Sequence, residues 1–422
     1  MNTILAALGL GDEGKGAWCE YFADKTNANL SVRYNGGCQS ARYVHHKGVA
    51  HQSQQFSAAS LVRPRLKTLV LDNVPVNPDA LIREAQALEE LGLDALRRFI
   101  ITYTNPVITP AHNFLCQLRE SLSENPIGTT GIGVRELMAD IAAGNEAHIL
   151  RVCDLLRPDF EDKLSRIIEY QLVKTRALDA PCEMLEYEIS EYFQRNPTDE
   201  LTERYKQFAS SVGEIISPPG KNRLLHRKNI IFEPAQGFWL DRQYGTIPYV
   251  TSTDTTTQPL GRLRIAGDTE IVGLTRAFAV RHGPGPLPTE TTELSGADNN
   301  IFTKHQGNLR YGWLDLHMVK EAWNTNLSFF YPPDARLSLA VSHLDELSGL
   351  EQIPVAYGRN CDGSPQYSYL RGWQTDISGV RSSDALPEAA KQYLDFIQTI
   401  VGAPVRYVSV GPTIEHRFEI AL

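Results

Sequence analysis

No apolar stretch in this chain approaches the roughly 18 residues that a membrane-spanning helix needs, so no transmembrane segment and no membrane partner is expected. The opening residues, Met1-Asn-Thr-Ile-Leu, carry neither a basic flank nor a long apolar core, and no secretory leader is read there. Cysteine is sparse and scattered (Cys19, Cys38, Cys116, Cys153, Cys182, Cys361) and never forms a C-x-x-C pair. That pattern fits reduced thiols in a cytoplasmic protein and argues against a disulfide framework or a zinc site. Neither an H-x-x-x-H pair nor a carboxylate cluster has metal-site spacing, and no G-x-S-x-G elbow occurs. Positive charge is in deficit: 41 Lys and Arg against 50 Asp and Glu leave a formal charge of −9, which argues against a nucleic-acid partner. There is no internal repeat and no low-complexity tract.

What is present is enough chain for a large core, 422 residues, of which 42% are hydrophobic. β-like runs occur at Ile4–Leu8, Leu30–Tyr34, Thr68–Leu71, Arg98–Thr102, Asn229–Phe232, Leu337–Val341, Ile353–Tyr357 and Arg406–Val410. Helical patterns separate many of them. One opens at Asn77-Pro78, a cap followed by proline at the first helical position, with Leu81, Ile82, Ala85 and Leu88 on one face. Leu386–Val401 reads as a late amphipathic helix, and a long charged run from Asp159 to Ile216 reads as helical. The alternation predicts an α/β fold with a largely parallel central sheet and flanking helices. The expected organisation is one large domain, 1–422, with a helical insertion at about 155–225. Loops rich in Thr, Pro and Gly at 245–262 and 282–297 are long enough to be functional.

The first β-like run breaks into Gly9-Leu-Gly-Asp-Glu-Gly-Lys-Gly16. The spacing of Gly9, Gly14 and Lys15 matches the G-x-x-x-x-G-K core of a P-loop, whose backbone amides cradle phosphate. The next residue is Gly16, where the Ser or Thr that holds magnesium is expected, and an acid, Asp12, stands inside the loop. A carboxylate among phosphate-binding amides repels phosphate unless it binds a metal or takes a proton. The loop alone reads either as an unusual phosphate site or as an ordinary glycine turn. Phe232-Glu-Pro-Ala-Gln-Gly237 and the hydroxyl-rich Tyr249–Thr257 follow a strand, where ligands sit in α/β sheets. Each also reads as a solvated loop. Gly128-Thr-Thr-Gly131 and the stiff Arg281-His-Gly-Pro-Gly-Pro-Leu-Pro-Thr-Glu290 are similarly two-sided. The histidines His45, His46 and His112 read as structural or exposed.

Taken in order, Gly11–Gly16, Arg33-Tyr-Asn-Gly-Gly37, Gly128–Gly131, Phe232–Gly237, Pro248–Ser252, Gly283–Glu290 and Gly312-Trp-Leu-Asp315 resemble the adenylosuccinate synthetase family over nearly the whole chain. Leu344-Asp345 and Ser409-Val-Gly411-Pro412 resemble its late nucleotide-binding segments. The resemblance implies a P-loop-NTPase-like core and a ligase that uses GTP (or ATP) and Mg2+. It further implies that the 6-oxo group of IMP or an analogue is phosphorylated and that an amino-acid amine, aspartate in the family, then displaces phosphate. Asp12 matches the catalytic base and magnesium ligand, Lys15 the lysine facing the transferred phosphoryl group, and Gly37 a second magnesium contact through its carbonyl. Asn35, Thr130, Gln236 and Thr251 match IMP-holding positions, with Gln236 also near the chemistry. Gly11, Glu13, Gly14, Gly16, Asp345 and Gly411 match nucleotide contacts, and Arg310 matches an arginine that binds the acidic co-substrate. A homodimer is implied, with Arg151 the candidate for an arginine supplied across the interface.

The departures fall on chemistry. Arg42 stands where the family has a histidine on the transferring phosphoryl group, and is expected to replace it electrostatically. Gly128–Gly131 runs directly to Ile132-Gly133, losing an arginine-glycine pair, with Arg135 close by. The aspartate loop, Thr303-Lys-His-Gln-Gly-Asn-Leu-Arg310, keeps only Arg310 in register, with Lys304 and His305 as compensating cations. His343 replaces a lysine two before Asp345. Three functions fit: the ordinary ligase, the same chemistry on a different purine or amino acid in a specialised pathway, and a nucleotide-binding pseudoenzyme.

Overall fold

The computed structural model describes residues 1–218, 225, 228–295, 302–303 and 307–420. Among these, the central sheet has ten strands. In chain order they are β1 (Asn2–Ala7), β2 (Leu30–Arg33), β3 (Lys67–Val70), β4 (Phe99–Thr102), β5 (Glu214–Ile216), β6 (Ile230–Glu233), β7 (Thr269–Arg276), β8 (Arg336–Ser342), β9 (Val405–Ser409) and β10 (Arg417–Glu419). Their spatial order is β10-β9-β8-β7-β1-β6-β2-β3-β4-β5, parallel throughout except for β10 against β9. Flanking helices complete the expected α/β architecture.

β1 is central and buried on both faces, as parallel strands covered by helices must be. Alternate side chains go opposite ways. Ile4 and Ala6 join a core with Phe232, Ile271, Leu339, Trp323 and Leu394, while Leu5 joins Trp18, Phe22, Val272 and Tyr407. The helices are α1 (Lys15–Lys25), α2 (Pro78–Glu90), α3 (Pro110–Leu122), α4 (Val134–Ala142), α5 (Phe160–Arg176), α6 (Cys182–Arg195), α7 (Thr198–Ser211), α8 (Leu316–Phe329) and α9 (Glu388–Val401). The Asn77 side chain caps α2 by accepting from Ala80 N, as the Asn-Pro pair predicts.

Three expectations are refined. The run Ile353–Tyr357 is a strand, Gln352–Arg359, but it belongs to a separate three-stranded sheet with Leu314–Asp315 and Pro365–Arg371. The charged helical run is three helices, with Pro181 and Pro197 at the starts of α6 and α7. Their apolar faces share a core with Val70, Phe99 and Ile101 of the sheet. β7, the neighbour of β1, was not read from the sequence at all. Its polar residues are satisfied by burial in pairs: Glu270 accepts from the hydroxyls of Ser338 and Tyr407 at 2.7 and 3.0 Å.

His112 lies in the first turn of α3, fully buried, where its Nδ1 accepts from Thr109 N at 3.2 Å. Burial pushes its pKa down from 6.5 to about 4. The folded state therefore keeps a neutral ring over a range in which the unfolded chain takes up a proton. The contribution is fully present above about pH 6.5 and is lost as pH falls towards 4. Urea midpoints at pH 7 and pH 5 should differ, and the difference should shrink in a His112→Gln protein.

Candidate active site

The loops that follow β1, β2 and β6 leave the same edge of the parallel sheet, where strand order brings non-consecutive strands together. They enclose a cavity of about 400 Å³ lined by Gly11, Asp12, Lys15, Gln39, Gln236 and Thr251, among others. The Gly128–Arg135 segment and His282 close further sides of it.

The loop after β1 is held by its own acid. Glu13 is buried, and its Oε1 accepts from Gly9 N at 3.1 Å and Gly11 N at 2.9 Å. Its Oε2 lies 2.6 Å from Lys15 Nζ. Two amides of the apparent phosphate cradle are thus already taken. What remains for an anion is the N-terminus of α1, whose first amides lack intrahelical acceptors. Gly14 is required there: its φ is 75°, and an added Cβ would lie 2.7 Å from Ser342 Oγ. That hydroxyl donates to Glu13 O and accepts from Trp18 Nε1, tying the loop to the end of β8.

Two non-glycine residues of the cavity hold positive φ, Asp12 at 57° and Gln236 at 55°. Such conformations persist where surrounding contacts impose them, often at functional sites. Asp12 is anchored through its carbonyl by Arg276 at 3.3 Å, while its side chain, 38% exposed, rises into the cavity. Gln236 Oε1 accepts from Gln39 Nε2 at 3.1 Å, and Gln39 Nε2 also reaches Thr251 Oγ1 at 3.1 Å. The result is one polar wall of Gln39, Gln236 and Thr251.

Asp12, Lys15, Gly11, Thr130, Gln236 and Thr251 are brought together as expected from their motifs. Asn35, Gly37, Arg42 and Arg310 are not, and Glu13, Gly14 and Gly16 lie behind the lining. Asn35 is fully buried beneath the site, accepting from Ala235 N and donating to Thr256 O, both at 2.8 Å. Gly37 lines a separate small cavity with Arg33, Cys38 and Val74. Gln39 and the exposed Ala41 occupy the cavity edge instead. Arg42 does not face the cavity: its Nε lies 2.9 Å from Glu233 Oε1 and its other nitrogens reach the carbonyls of Gln54 and Pro234. It cannot replace a phosphoryl-facing histidine from there, because a buried carboxylate holds it. Arg310 is engaged by Glu290 at 2.7 Å and by the Gly285 carbonyl, away from the cavity lining. Lys304 and His305 lie outside the described residues.

Arg42 belongs to a buried charge cluster with Arg33, Glu84 and Glu233. Burial raises the Glu84 pKa, and burial together with Arg42 lowers that of Arg33 to about 10. Burial opposes ionisation of Glu233 too, but Arg42 and Arg33 outweigh it and hold that carboxyl below its usual range.

Asp345 and Gly411 form a second locus at the ends of β8 and β9, joined by Leu344 N donating to Ser409 O. Asp345 Oδ1, Ser348 Oγ and Trp373 Nε1 are buried there without hydrogen-bond partners among the described residues. Burial raises the Asp345 pKa. His343 pairs with Glu346 rather than with Asp345. Sequence reasoning missed Gln39 and His282. Gln39 was signalled only by its place after Gly36-Gly37, and His282 by nothing beyond a polar residue beside a rigid loop.

The family model described as adenylosuccinate synthetase matches residues 4–418. The chain belongs to the adenylosuccinate synthetase family. The enzymes of Halothermothrix orenii and Clostridium beijerinckii are each 31% identical to it, over 97% and 95% of the chain and 96% and 95% of their own lengths. The fully ligated adenylosuccinate synthetase of Plasmodium falciparum shares its fold with a TM-score of 0.77, at 21% identity and 99% coverage of both chains. The succinoaminodeoxyadenylate synthetase of cyanophage S-2L, bound to dGMP and dATP, gives 0.60 at 16% identity, covering 100% of this chain and 95% of that one. The ligase uses GTP and Mg2+ to convert IMP and aspartate into adenylosuccinate. Its donor set fits the metal: Asp12 offers one accessible carboxylate, and no group of three or more acidic, His or Cys side chains forms a dedicated cage among the described residues. Magnesium characteristically takes one or two carboxylates and completes its shell with phosphates and water.

The buried position of Arg42 makes a specific prediction. Arg42→Ala should destabilise the fold by about 3–5 kcal/mol, because it strands the Glu233 charge. Arg42→Met combined with Glu233→Leu should recover much of that loss in urea titrations.

Proposed function

We propose that Asp12 is the general base of this ligase and Lys15 its phosphoryl-facing cation, working on a purine held in the cavity of about 400 Å³. The observation that carries the reading is the strained Asp12, whose carboxylate rises into the cavity beside the N-terminus of α1. Asp12 takes the N1 proton of IMP, and the electron pair moves to O6. O6 attacks the γ-phosphorus of GTP, the bond to the β–γ bridging oxygen breaks, and GDP leaves. The aspartate nitrogen then attacks C6, and phosphate departs with the oxygen. The lactam oxygen is a poor leaving group until phosphorylated, so the enzyme's task is placement and charge.

The polar wall of Gln39, Gln236 and Thr251 suits a purine nucleotide. Thr129, Thr130, Arg135 and the start of α4 suit its phosphate. Lys15 is 94% buried yet lines the cavity, which places a poorly hydrated cation against the transferring group. Magnesium would be held by Asp12 together with the nucleotide phosphates, and it supplies neutralisation of phosphoryl charge. The guanine is assigned to the Asp345 locus, whose unpartnered carboxylate oxygen can accept from the N1–H and N2–H2 edge of guanine. Ser342, three residues before Asp345, already touches the loop at Glu13, so one nucleotide spans both loci. We also infer a cytoplasmic homodimer, with Arg151 the candidate interface arginine; in the single chain it bonds Glu146 and the Thr104 carbonyl.

Asp12→Asn should reduce phosphate release by about 10²–10⁴-fold with an unchanged melting temperature, as loss of a general base does. Release in the parent enzyme should require IMP, GTP, Mg2+ and aspartate together. Release without IMP, or full activity in Asp12→Asn, would overturn the reading. Gln39→Ala should raise KM for IMP more than it lowers kcat. Sedimentation equilibrium tests the dimer.

A further inference from the structure

A residue 3.4 Å from the Asp12 carboxylate has no role assigned by any motif. His282 ends the strand Ala279–His282, which pairs antiparallel with Gly307–Gly312. Its side chain is only 10% exposed, lines the cavity, and brings Nε2 to 3.4 Å from Asp12 Oδ2. Both ring nitrogens lack a hydrogen-bond partner among the described residues. A buried imidazole normally satisfies at least one nitrogen, and leaving both unmade costs free energy. An unpaired ring aimed at a carboxylate in a substrate-sized cavity is therefore better explained by a task than by packing.

The backbones on both sides are fixed. Arg281, just before His282, donates to the carbonyls of Tyr249, Pro284 and Pro286 at 2.9–3.1 Å and so clamps the loop that follows. Across the gap, Arg276 holds the Asp12 carbonyl. Two arginines thus fix the backbone on either side of the gap. Arg42, the other cation expected at the chemistry, is held at Glu233 and leaves the place beside Asp12 to His282.

We propose that His282 is a positioning residue for the base: its imidazole donates Nε2–H to Asp12 Oδ2. One carboxylate oxygen is thereby fixed, and Oδ1 is left as the acceptor of the purine N1 proton. Hydrogen bonds of this kind are commonly long before the reacting groups are bound and tighten with them, which accommodates the 3.4 Å approach. Misplacement of a reacting group by about 1 Å costs on the order of 10²-fold in rate, so a fixed carboxylate is worth a dedicated partner. This role rests on Asp12 being the base.

The test compares His282→Leu, which removes the donor, with His282→Asn, which restores one, and carries Asp12→Asn alongside. Steady-state kcat and KM for IMP, IMP affinity by calorimetry, and melting temperature are measured for each. His282→Leu should lose about 10²-fold in kcat with IMP affinity and melting temperature unchanged, and His282→Asn should regain a substantial part. A His282→Leu enzyme with parental kcat overturns the proposal. So does a loss that follows IMP affinity or melting temperature, and so does an Asn variant no better than Leu. If Asp12→Asn keeps its activity, the base assignment itself fails. If Asp12→Asn is inactive while His282→Leu is unimpaired, only the positioning role fails.

Discussion

Four charged side chains buried at one edge of the sheet determine where the hairpin beside the site can run. Arg33 ends β2, Glu233 ends β6, Glu84 projects from α2, and Arg42 begins the hairpin strand Arg42–His46. Glu84 accepts from the amides of Gln54, Gln55 and Phe56, while Arg33 donates to the Gln54 carbonyl. Taking four ions out of water is costly, and the cost is met only when each finds its partners in one geometry. The arrangement therefore fixes the hairpin against the sheet. Gln39 and Ala41, on the segment leading into that hairpin, are carried to the cavity edge as a consequence.

A second layer of order comes from side chains that bind the backbone of the first loop. Glu13 closes the loop after β1 upon itself, and Ser342 fastens it to β8. Asp12 is the residue left facing outward. The P-loop likeness of this segment is real in spacing, but two of its amides serve an internal carboxylate. What is left to an anion there is the helix terminus and Lys15.

Much of this was readable in advance. The sheet strands declare themselves by short apolar runs between turn residues, and α2 by its Asn-Pro start. Asp12, Lys15, Gln236 and Thr251 are legible only jointly: each turn alone reads two ways, and the ordered series of motifs with its family resemblance singles them out. What was illegible depended on distant partners. Arg42 looks like a free cation until Glu233, far along the chain, is seen against it. Asn35 has the right chemistry for a ligand, but its side chain is consumed by Ala235 and Thr256. β7 hides behind Thr, Glu and Gly residues because its glutamate is paid for by hydroxyls on other strands. His282 is one histidine in a proline-rich stretch, and only the fold brings Asp12 to it.

The glycine in the middle of β7 has a reach beyond its own strand. A Cβ at Gly273 would come within 2.8–2.9 Å of Leu8, Leu339 and Trp323. Leu8 is the last residue before the loop that carries Asp12. Adding a single methyl group to the floor of the sheet would push on the root of that loop, although nothing at position 273 meets a substrate. A glycine that weakens a fully buried strand therefore sets the position of a loop that its own residue never touches.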